Sequence, residues 1–273
     1  MEFFQPILEF FNTQGPVPAV FGTYHIICLA LTFGLTALAA ICGRRHSAKT
    51  VANVVLITAI VVALFEIYKQ INYTFHDGLV EPSYQWYAFP WQFCSTPMYI
   101  GLLAGIIRKG RIHDSLCCYL ATYAVFAGLA VMIYPGDVFV GTTGINIQTV
   151  VCHGSMVVIG GYLYGSGHVK MNFKTVLKAM PVFAVCACIA VGLNEWAHAV
   201  GITENHNFNM FYVSPYKECT LPVYSLVHNS VPFPVNLAIY ILGFTAAATV
   251  MMLGAKGIAS LGRRSRKKEA VAA

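Results

Sequence analysis

The chain has 273 residues, of which 57% are hydrophobic and only 10% are charged. Soluble domains carry about 25% charged residues, so this composition excludes an ordinary soluble protein and indicates an integral membrane protein. The net charge of +6 falls mostly in short connections and in a carboxy-terminal tail. Because no basic stripe is interleaved with aromatic residues, no nucleic-acid partner is expected.

The amino-terminal residues 1–18 begin with the sequence MEFFQPILEFFNTQGP. This segment lacks the positively charged region of a signal peptide and ends in Gly and Pro rather than in a cleavage site. Its aromatic and acidic residues are typical of a short amphipathic helix at a membrane surface. We therefore expect an interfacial segment 1–18, a transmembrane bundle 19–256 and a basic cytoplasmic tail 257–273.

Apolar runs long enough to cross lipid recur along the chain. A spanning helix needs about 20 apolar residues, and by this criterion we predict an all-α, polytopic membrane protein with seven transmembrane helices. The predicted helices cover approximately residues 19–42, 51–71, 89–107, 115–134, 147–166, 176–200 and 235–256.

Lysine and arginine follow every second predicted helix. They are Arg44, Arg45, Lys49, Arg108, Lys109, Arg111, Lys170, Lys174, Arg263, Arg264, Arg266, Lys267 and Lys268. The connections 72–88 and 135–146 have no lysine or arginine, and 201–234 has only Lys217. Positive connections remain cytoplasmic, so this pattern predicts an outer amino terminus and a cytoplasmic carboxyl terminus.

Polar side chains within the predicted helices lie towards one face of the membrane. They include Tyr24, His25, Glu66, Lys69, Gln92, Cys94, Ser95, Thr96, Asn146, Gln148, His153, Asn194, Glu195, His198 and Asn236. At a rise of about 1.5 Å per residue, all lie within roughly 12 Å of the outer helix ends. This layering predicts a polar chamber in the outer half of the bundle rather than a continuous pore.

Cys94 and His153 lie at nearly the same predicted depth on two different helices. A histidine beside a thiol can take its proton and leave a strong nucleophile. Because ester groups of phospholipids lie a few turns below the membrane surface, the expected reaction is transfer or hydrolysis of a lipid acyl group through a thioester. No cofactor is expected, and membrane phospholipids are the expected partners.

Further polar residues are candidates for supporting roles around this pair. Gln92, Ser95, Gln148 and Asn194 could donate to a developing oxyanion. Either Glu66 or Glu195 could orient the imidazole, and the sequence does not choose between them. By themselves, Cys94 could be a core thiol and His153 a packing or hydrogen-bonding residue. His25 and His198 could be interfacial histidines, and Lys69 could reach out to the membrane surface beside Glu66.

Neither a metal site nor a disulfide framework is expected. Cys94, His153 and Glu66 could supply three ligands, but we find no closely spaced Cys or His pair of the kind that occurs in zinc motifs. Most of the nine cysteines lie in apolar runs, and Cys219 has no partner in its connection.

The motifs FPWQFCS around Cys94 and VVCHGSMVV around His153 resemble those of the YwaF-type bacterial membrane proteins. The segment NFNMFYVSPYKECTLPVYSLVHNSVPFPV is also similar to a stretch of that family. A more distant resemblance is to its vertebrate relative, a multi-pass cysteine acyltransferase that acts on ether phospholipids. The resemblance implies a bacterial plasma-membrane protein, with Cys94 as nucleophile and His153 as its histidine.

Two other functions are considered beside the enzyme. One is a non-catalytic protein that binds or transports a small ligand in the outward-open polar chamber. The other is a structural partner in a larger assembly, for which the sequence has no positive signal.

Overall fold

A computed structural model of the chain describes residues 5–75, 82–228 and 230–272, with side chains described from residue 9 to residue 260 of these ranges. Within this part the fold is all-helical and has no strand, apart from an isolated antiparallel bridge between Gln14 and Thr142. The helices are α1 Gln5–Asn12, α2 Thr23–Gly43, α3 Ala48–Thr74, α4 Thr96–Ile107, α5 Gly110–Ala121, α6 Tyr123–Ile133, α7 Thr143–Gly165, α8 Phe173–Ala199, α9 Ile202–Asn205 and α10 Phe233–Ala272.

Six helical stretches among the described residues are long and apolar enough to cross a membrane. They are α2, α3, the pair α5–α6, α7, α8 and the first part of α10. The predicted helix 89–107 is wrong as a continuous helix, since only the 12 residues Thr96–Ile107 are helical. A helix of this length rises about 18 Å, which is shorter than the roughly 30 Å of a hydrocarbon core.

Two prolines explain why this helix is short. Pro97 lies in the first turn of α4, where its missing N–H costs no helical hydrogen bond but disfavours helical backbone before it. Pro90 similarly interrupts the segment in front of Cys94. The stretch 89–95 therefore forms turns, with hydrogen bonds such as that from Ser95 N to Gln92 O at 2.8 Å.

Helix α7 lies at the centre of the bundle and contacts α2, α3, α5 and α6. It runs close to α2 because glycines on α7 face that helix. A Cβ atom added at Gly165 would collide with the backbone of Ala40, and one added at Gly161 would collide with Thr36. Small residues at such interfaces allow the backbones of membrane helices to approach closely, so these glycines fix the α2–α7 distance.

The predicted helix 115–134 begins earlier and is divided in two. Helix α5 begins at Gly110, and Thr122 separates it from α6 with the non-helical angles φ −123° and ψ −79°. The Thr122 hydroxyl donates to Cys118 O at 2.7 Å, a backbone interaction that is known to bend helices.

The lid segment, defined as residues 206–228, covers one end of the bundle. Its side chains Phe208, Met210 and Phe211 are fully buried, and the Phe211 ring packs against Phe93 and Phe183 with centroid distances of 5.7 and 6.0 Å. The opposite end of the bundle carries the short connections 44–47, 108–109 and 166–172, and is called the short-connection end below.

The two ends of the chain were predicted as an interfacial segment and a basic tail, and the structure shows a helix at each of them. Helix α1 packs on α3, where the Phe11 and Tyr68 rings meet at 5.3 Å and Tyr68 Oη donates to Phe11 O. Its position at a membrane surface remains a prediction. Helix α10 continues to Ala272, and the side chains of the predicted tail from residue 261 lie outside the described residues.

Candidate functional site

Cys94 lies in the turn that leads into α4, not inside a helix as the sequence predicts. Its side chain is half-buried among the aromatic and apolar residues of the core. Its neighbour in the chain, Ser95, is buried. The hydroxyl group of the next residue, Thr96, forms a hydrogen bond with Tyr119 Oη at 2.6 Å. The thiol is therefore held at the amino-terminal end of α4, where backbone N–H groups create a positive potential.

His153 lies on α7, ten residues after its first residue Thr143. This corresponds to a depth of about 15 Å, which is deeper than predicted because α7 begins earlier than residue 147. The side chain is 5% exposed, and Nδ1 bonds to Thr149 O at 2.8 Å. A carbonyl oxygen can only accept, so Nδ1 carries the hydrogen and Nε2 carries the free lone pair. Within the described part of the chain, this Nε2 has no hydrogen-bond partner.

The predicted Cys94–His153 pair is therefore not hydrogen-bonded in this structure. Cys94 and His153 nevertheless lie in neighbouring parts of the bundle. Cys152, the neighbour of His153, places its Sγ 3.7 Å from the Cys94 carbonyl oxygen. The Lys69 ammonium also acts through its charge on both the Cys94 thiol and the His153 imidazole.

Glu66 is the centre of a buried polar cluster beside these residues. It is 4% exposed. Its carboxylate accepts from Lys69 Nζ at 2.8 Å, Gln70 Nε2 at 2.8 Å and, more weakly, Gln148 Nε2 at 3.4 Å. Gln70 continues the cluster through Tyr84, whose hydroxyl donates to Gln70 Oε1 at 2.6 Å.

The cluster changes two interpretations made from the sequence. The Lys69 side chain is only 16% exposed and bonds to Glu66 instead of extending outward. Lys69 was not among the predicted site residues, although its i, i+3 spacing from Glu66 was the available signal. Glu66 does not orient the His153 imidazole, because Thr149 O occupies Nδ1.

Gln92 and Asn194, which the sequence predicts as oxyanion donors, instead hold the lid segment. Gln92 Nε2 donates to Asn209 O at 3.1 Å, and Phe211 N donates to Gln92 Oε1 at 3.2 Å. Asn194 pairs in the same manner with the backbone of Met210. The amide groups of both side chains are therefore engaged by backbone and do not face an open chamber.

Glu195 and His25 also have partners away from the pair. Glu195 Oε2 accepts from Tyr216 Oη at 2.8 Å in an exposed position, so it does not orient His153 either. His25 is fully buried, with Phe21 N donating to its Nδ1 at 2.8 Å and Nε2 lying 2.7 Å from Met132 O. It connects the start of α2 to the end of α6 and is not an interfacial histidine.

A small cavity lies next to Cys152, between α3, α4 and α7. Its volume is about 20 Å³, and its lining includes Val62, Met98, Cys152 and Met156. This is room for about one water molecule. An acyl chain would therefore enter only if these helices moved apart or if it approached from the lipid.

One close pair of metal-binding side chains was not predicted from the sequence. His113 and Cys117 are four residues apart on α5, so they lie on one face of the helix. The prediction that the chain has no such pair is therefore wrong. The signal was present as HDSLC but fell at the edge of the predicted helix 115–134.

The described residues form a helical bundle with six stretches able to span a membrane and a polar cluster buried among them, which defines a multi-pass membrane protein. A family model matches residues 20–255, and the chain belongs to the TMEM164 family. No curated protein and no solved structure matches the chain. The matched range includes all the candidate site residues. The resemblance to YwaF-type bacterial proteins remains a prediction.

Proposed function

We propose that the protein is an intramembrane acyltransferase or acyl hydrolase in which Cys94 is the nucleophile and His153 the general base. Its substrates would be ester groups of membrane phospholipids. The observation that carries this proposal is the buried Nε2 of His153, which holds a free lone pair and has no partner within the described residues. Leaving such a group unsatisfied costs about 1–3 kcal/mol, and a thiol or substrate hydroxyl would satisfy it.

The surroundings of Cys94 support a nucleophilic role. The residue precedes the amino terminus of α4, and the nearby Lys69 adds a positive charge. Both features favour a thiolate over a thiol, but burial of the sulfur is the largest influence and opposes it, as does the Glu66 carboxylate. The attack therefore depends on transfer of the thiol proton to His153.

Of the predicted oxyanion donors, Gln92 and Asn194 are engaged by backbone and Gln148 donates to Glu66. This leaves Ser95, the neighbour of Cys94 in the chain. Lys69 is a second candidate because its charge acts at Cys94.

The proposed reaction has two half-reactions. His153 Nε2 takes the thiol proton as the sulfur attacks the ester carbonyl carbon. The carbon–oxygen bond of the ester then breaks, and the leaving lysophospholipid oxygen takes the proton from the imidazolium. In the second half, an acceptor hydroxyl or water gives its proton to Nε2 and attacks the thioester, and the sulfur leaves and recovers that proton.

Substrate binding must bring the thiol to the imidazole. The Cys94 side chain has one rotatable bond, and its carbonyl already contacts Cys152 on α7. A change of side-chain rotamer, with a small shift of the turn 89–95, is the expected movement. Catalytic hydrogen bonds are often long in the absence of substrate and shorten when it binds.

The same proposal includes the membrane arrangement. The turn 89–95 and α4 together would form a seventh crossing, with the amino terminus outside, the carboxyl terminus in the cytoplasm and the protein in a bacterial plasma membrane. Support comes from the positive residues Arg44, Lys109 and Lys170, which all lie at the short-connection end. Irregular backbone at membrane depth is tolerated when it is buried in protein, as Ser95 is here.

The test is acyl transfer by purified protein in phospholipid vesicles, with a labelled acyl chain on the donor phospholipid and a lysophospholipid as acceptor. We expect transfer or release of the labelled chain, and labelled protein that hydroxylamine cleaves, as a thioester would be. Cys94→Ala should abolish both signals. His153→Gln should lower turnover by about 10²- to 10⁴-fold, the usual contribution of a general base.

Cys42→Ala and Cys188→Ala are matched controls, because both thiols are exposed on the outside of the bundle. They should retain the wild-type rate. A Cys94→Ala protein that is equally abundant and folded, and that still transfers acyl chains at the wild-type rate, would overturn the proposal.

The missing thiol–imidazole hydrogen bond favours a second candidate, a non-catalytic protein that binds or transports a small ligand. The two candidates differ in what they require of the sulfur. A Cys94→Ser variant keeps the shape and polarity of the site but is a far weaker nucleophile. Full function in that variant would support binding, whereas loss of function would support the enzyme.

A further inference from the structure

A second cluster of reactive side chains lies at the short-connection end of the bundle, away from the lid segment. His113 and Cys117 lie one turn apart on α5, and His168 comes from the connection between α7 and α8. His113 is 1% exposed, Cys117 is fully buried and His168 is half-buried. Helix α5 contacts both α7 and α8, and this packing brings the three side chains together.

Two of the three separations between the ligand atoms are close to those of a tetrahedral metal site. His113 Nε2 lies 3.0 Å from His168 Nε2 and 3.6 Å from Cys117 Sγ, and all three atoms lie within 4.8 Å of one another. Zinc–nitrogen bonds of about 2.0–2.1 Å and zinc–sulfur bonds of about 2.3 Å imply edges of about 3.3 Å between nitrogens and about 3.6 Å between nitrogen and sulfur. The two edges from His113 differ from these values by a few tenths of an ångström or less. The edge between Cys117 Sγ and His168 lies within 4.8 Å, and movement of the half-buried His168 side chain would close it.

The hydrogen bonding of His113 directs the required lone pair into the cluster, where without an ion it accepts from His168 Nε2. The Nδ1 of His113 lies 3.0 Å from Ala104 O near the end of α4. Since a carbonyl only accepts, Nδ1 carries the hydrogen and Nε2 turns its lone pair towards Cys117 and His168. Histidine ligands of metals commonly have such an outer partner, which fixes their tautomer and orientation.

From this geometry we infer that His113, Cys117 and His168 form a binding site for a thiophilic transition-metal ion, Zn²⁺ or Cu⁺. One thiolate and two imidazoles suit both ions. With Cu⁺ the site would be neutral, and with Zn²⁺ it would carry one positive charge. Binding releases the Cys117 proton to solvent and requires the His168 hydrogen to be carried on Nδ1 instead of Nε2, and no electron is exchanged.

The ion would tie the α7–α8 connection to α5 and, through Ala104, to α4. A bound ion adds to the free energy of unfolding in proportion to the logarithm of its concentration over its Kd. The site is therefore expected to stabilise the bundle from the end opposite to Cys94. This inference is independent of the proposed acyl transfer.

The test uses full-length protein purified through a tag without histidine, with two titrations against chelators, one for Zn²⁺ and one for Cu⁺. We expect one equivalent of one of these ions per chain and a thermal unfolding midpoint that rises on its addition. His168→Ala and Cys117→Ser should each weaken binding by more than the roughly 10- to 100-fold that loss of an outer-shell partner costs.

His168 lies in a connection, so its substitution tests the site even if a change at the buried Cys117 impairs folding. His206→Ala and Cys188→Ser are matched controls on exposed residues of the same types and should bind like wild type. Failure of both ions to bind the folded wild-type protein, or equal affinity in the wild type and His168→Ala, would overturn the inference.

Discussion

Asn194 holds Met210 through both ends of its side-chain amide. Its Nδ2 donates to Met210 O at 3.0 Å, and Met210 N donates to its Oδ1 at 2.8 Å. This pairing imitates a rung of β-sheet between helix α8 and the lid segment. Gln92 makes the equivalent pair with Asn209 and Phe211, so the two amides fix a strained stretch in which Phe211 and Tyr212 have φ values of 59° and 57°.

Asn194→Ala is expected to loosen the lid segment. The substitution leaves the buried N–H and C=O of Met210 without partners, at a cost of about 1–3 kcal/mol for each unsatisfied group. Hydrogen exchange of the amides in residues 206–228 should become faster, and the thermal unfolding midpoint should fall. Asn205→Ala is the control, because Asn205 is exposed and its side chain donates to Gly201 O within its own helical turn. Equal exchange in both variants would contradict the role given to Asn194.

Lys69→Met is expected to destabilise the bundle through Glu66. The carboxylate would lose its cation while remaining buried, and breaking a buried ion pair on one side costs about 3–5 kcal/mol. The loss of stability is measured by unfolding the protein in detergent while its helix content is monitored by circular dichroism. The double variant Glu66→Gln/Lys69→Met removes the charge and should recover most of the stability. A double variant as unstable as Lys69→Met would show that the charge is not the cause.

Gly165→Ala is expected to separate α2 from α7. The added methyl group would overlap the backbone of Ala40, which cannot rotate away. Overpacking of this kind costs about 1–3 kcal/mol and should lower the unfolding midpoint. Gly192→Ala is the matched control, since a Cβ there meets no atom within 4 Å. That variant should be neutral or slightly more stable, because alanine favours helix over glycine by about 1 kcal/mol.

The stability of the lid segment is expected to fall in mild acid because of His228. Burial lowers the pKa of His228 below its ordinary value of 6.5, against a smaller opposing effect of its hydrogen bond to the Ser214 backbone. The unfolded chain then binds the proton more readily than the folded one. The contribution of His228 is therefore complete above about pH 6.5 and is lost as the pH falls through that value towards the folded pKa.

Thermal unfolding at pH 5.5 and pH 7.5 measures this effect. His228→Gln should reduce the difference between the two midpoints, whereas His206→Gln, which changes an exposed histidine of the same segment, should leave it unchanged. A His228→Gln protein with the full wild-type pH dependence would contradict the assignment.

Apolar runs and charges along the chain predicted the helical class and most of the helix order. They failed at 89–107, where hydropathy alone suggested one helix although Pro97 favours a helix start. They also failed at Thr122, because the bend depends on a hydroxyl bonding to Cys118 O within the folded helix. Local sequence therefore predicted where most of the apolar helices lie, but it did not predict where they are interrupted.

The residue types of the site were visible in the sequence, but their partners were not. Sequence alone determined that Cys94, His153, Glu66 and Asn194 would lie within an apolar chain, since burial there follows from hydropathy. Only the tertiary structure decided that Asn194 binds a backbone, that Glu66 pairs with Lys69 and Gln70, and that His113 meets His168 across 55 positions. The reason is physical: hydropathy sets how deep a side chain lies, whereas hydrogen bonds depend on helix rotation and on packing between segments distant in the chain.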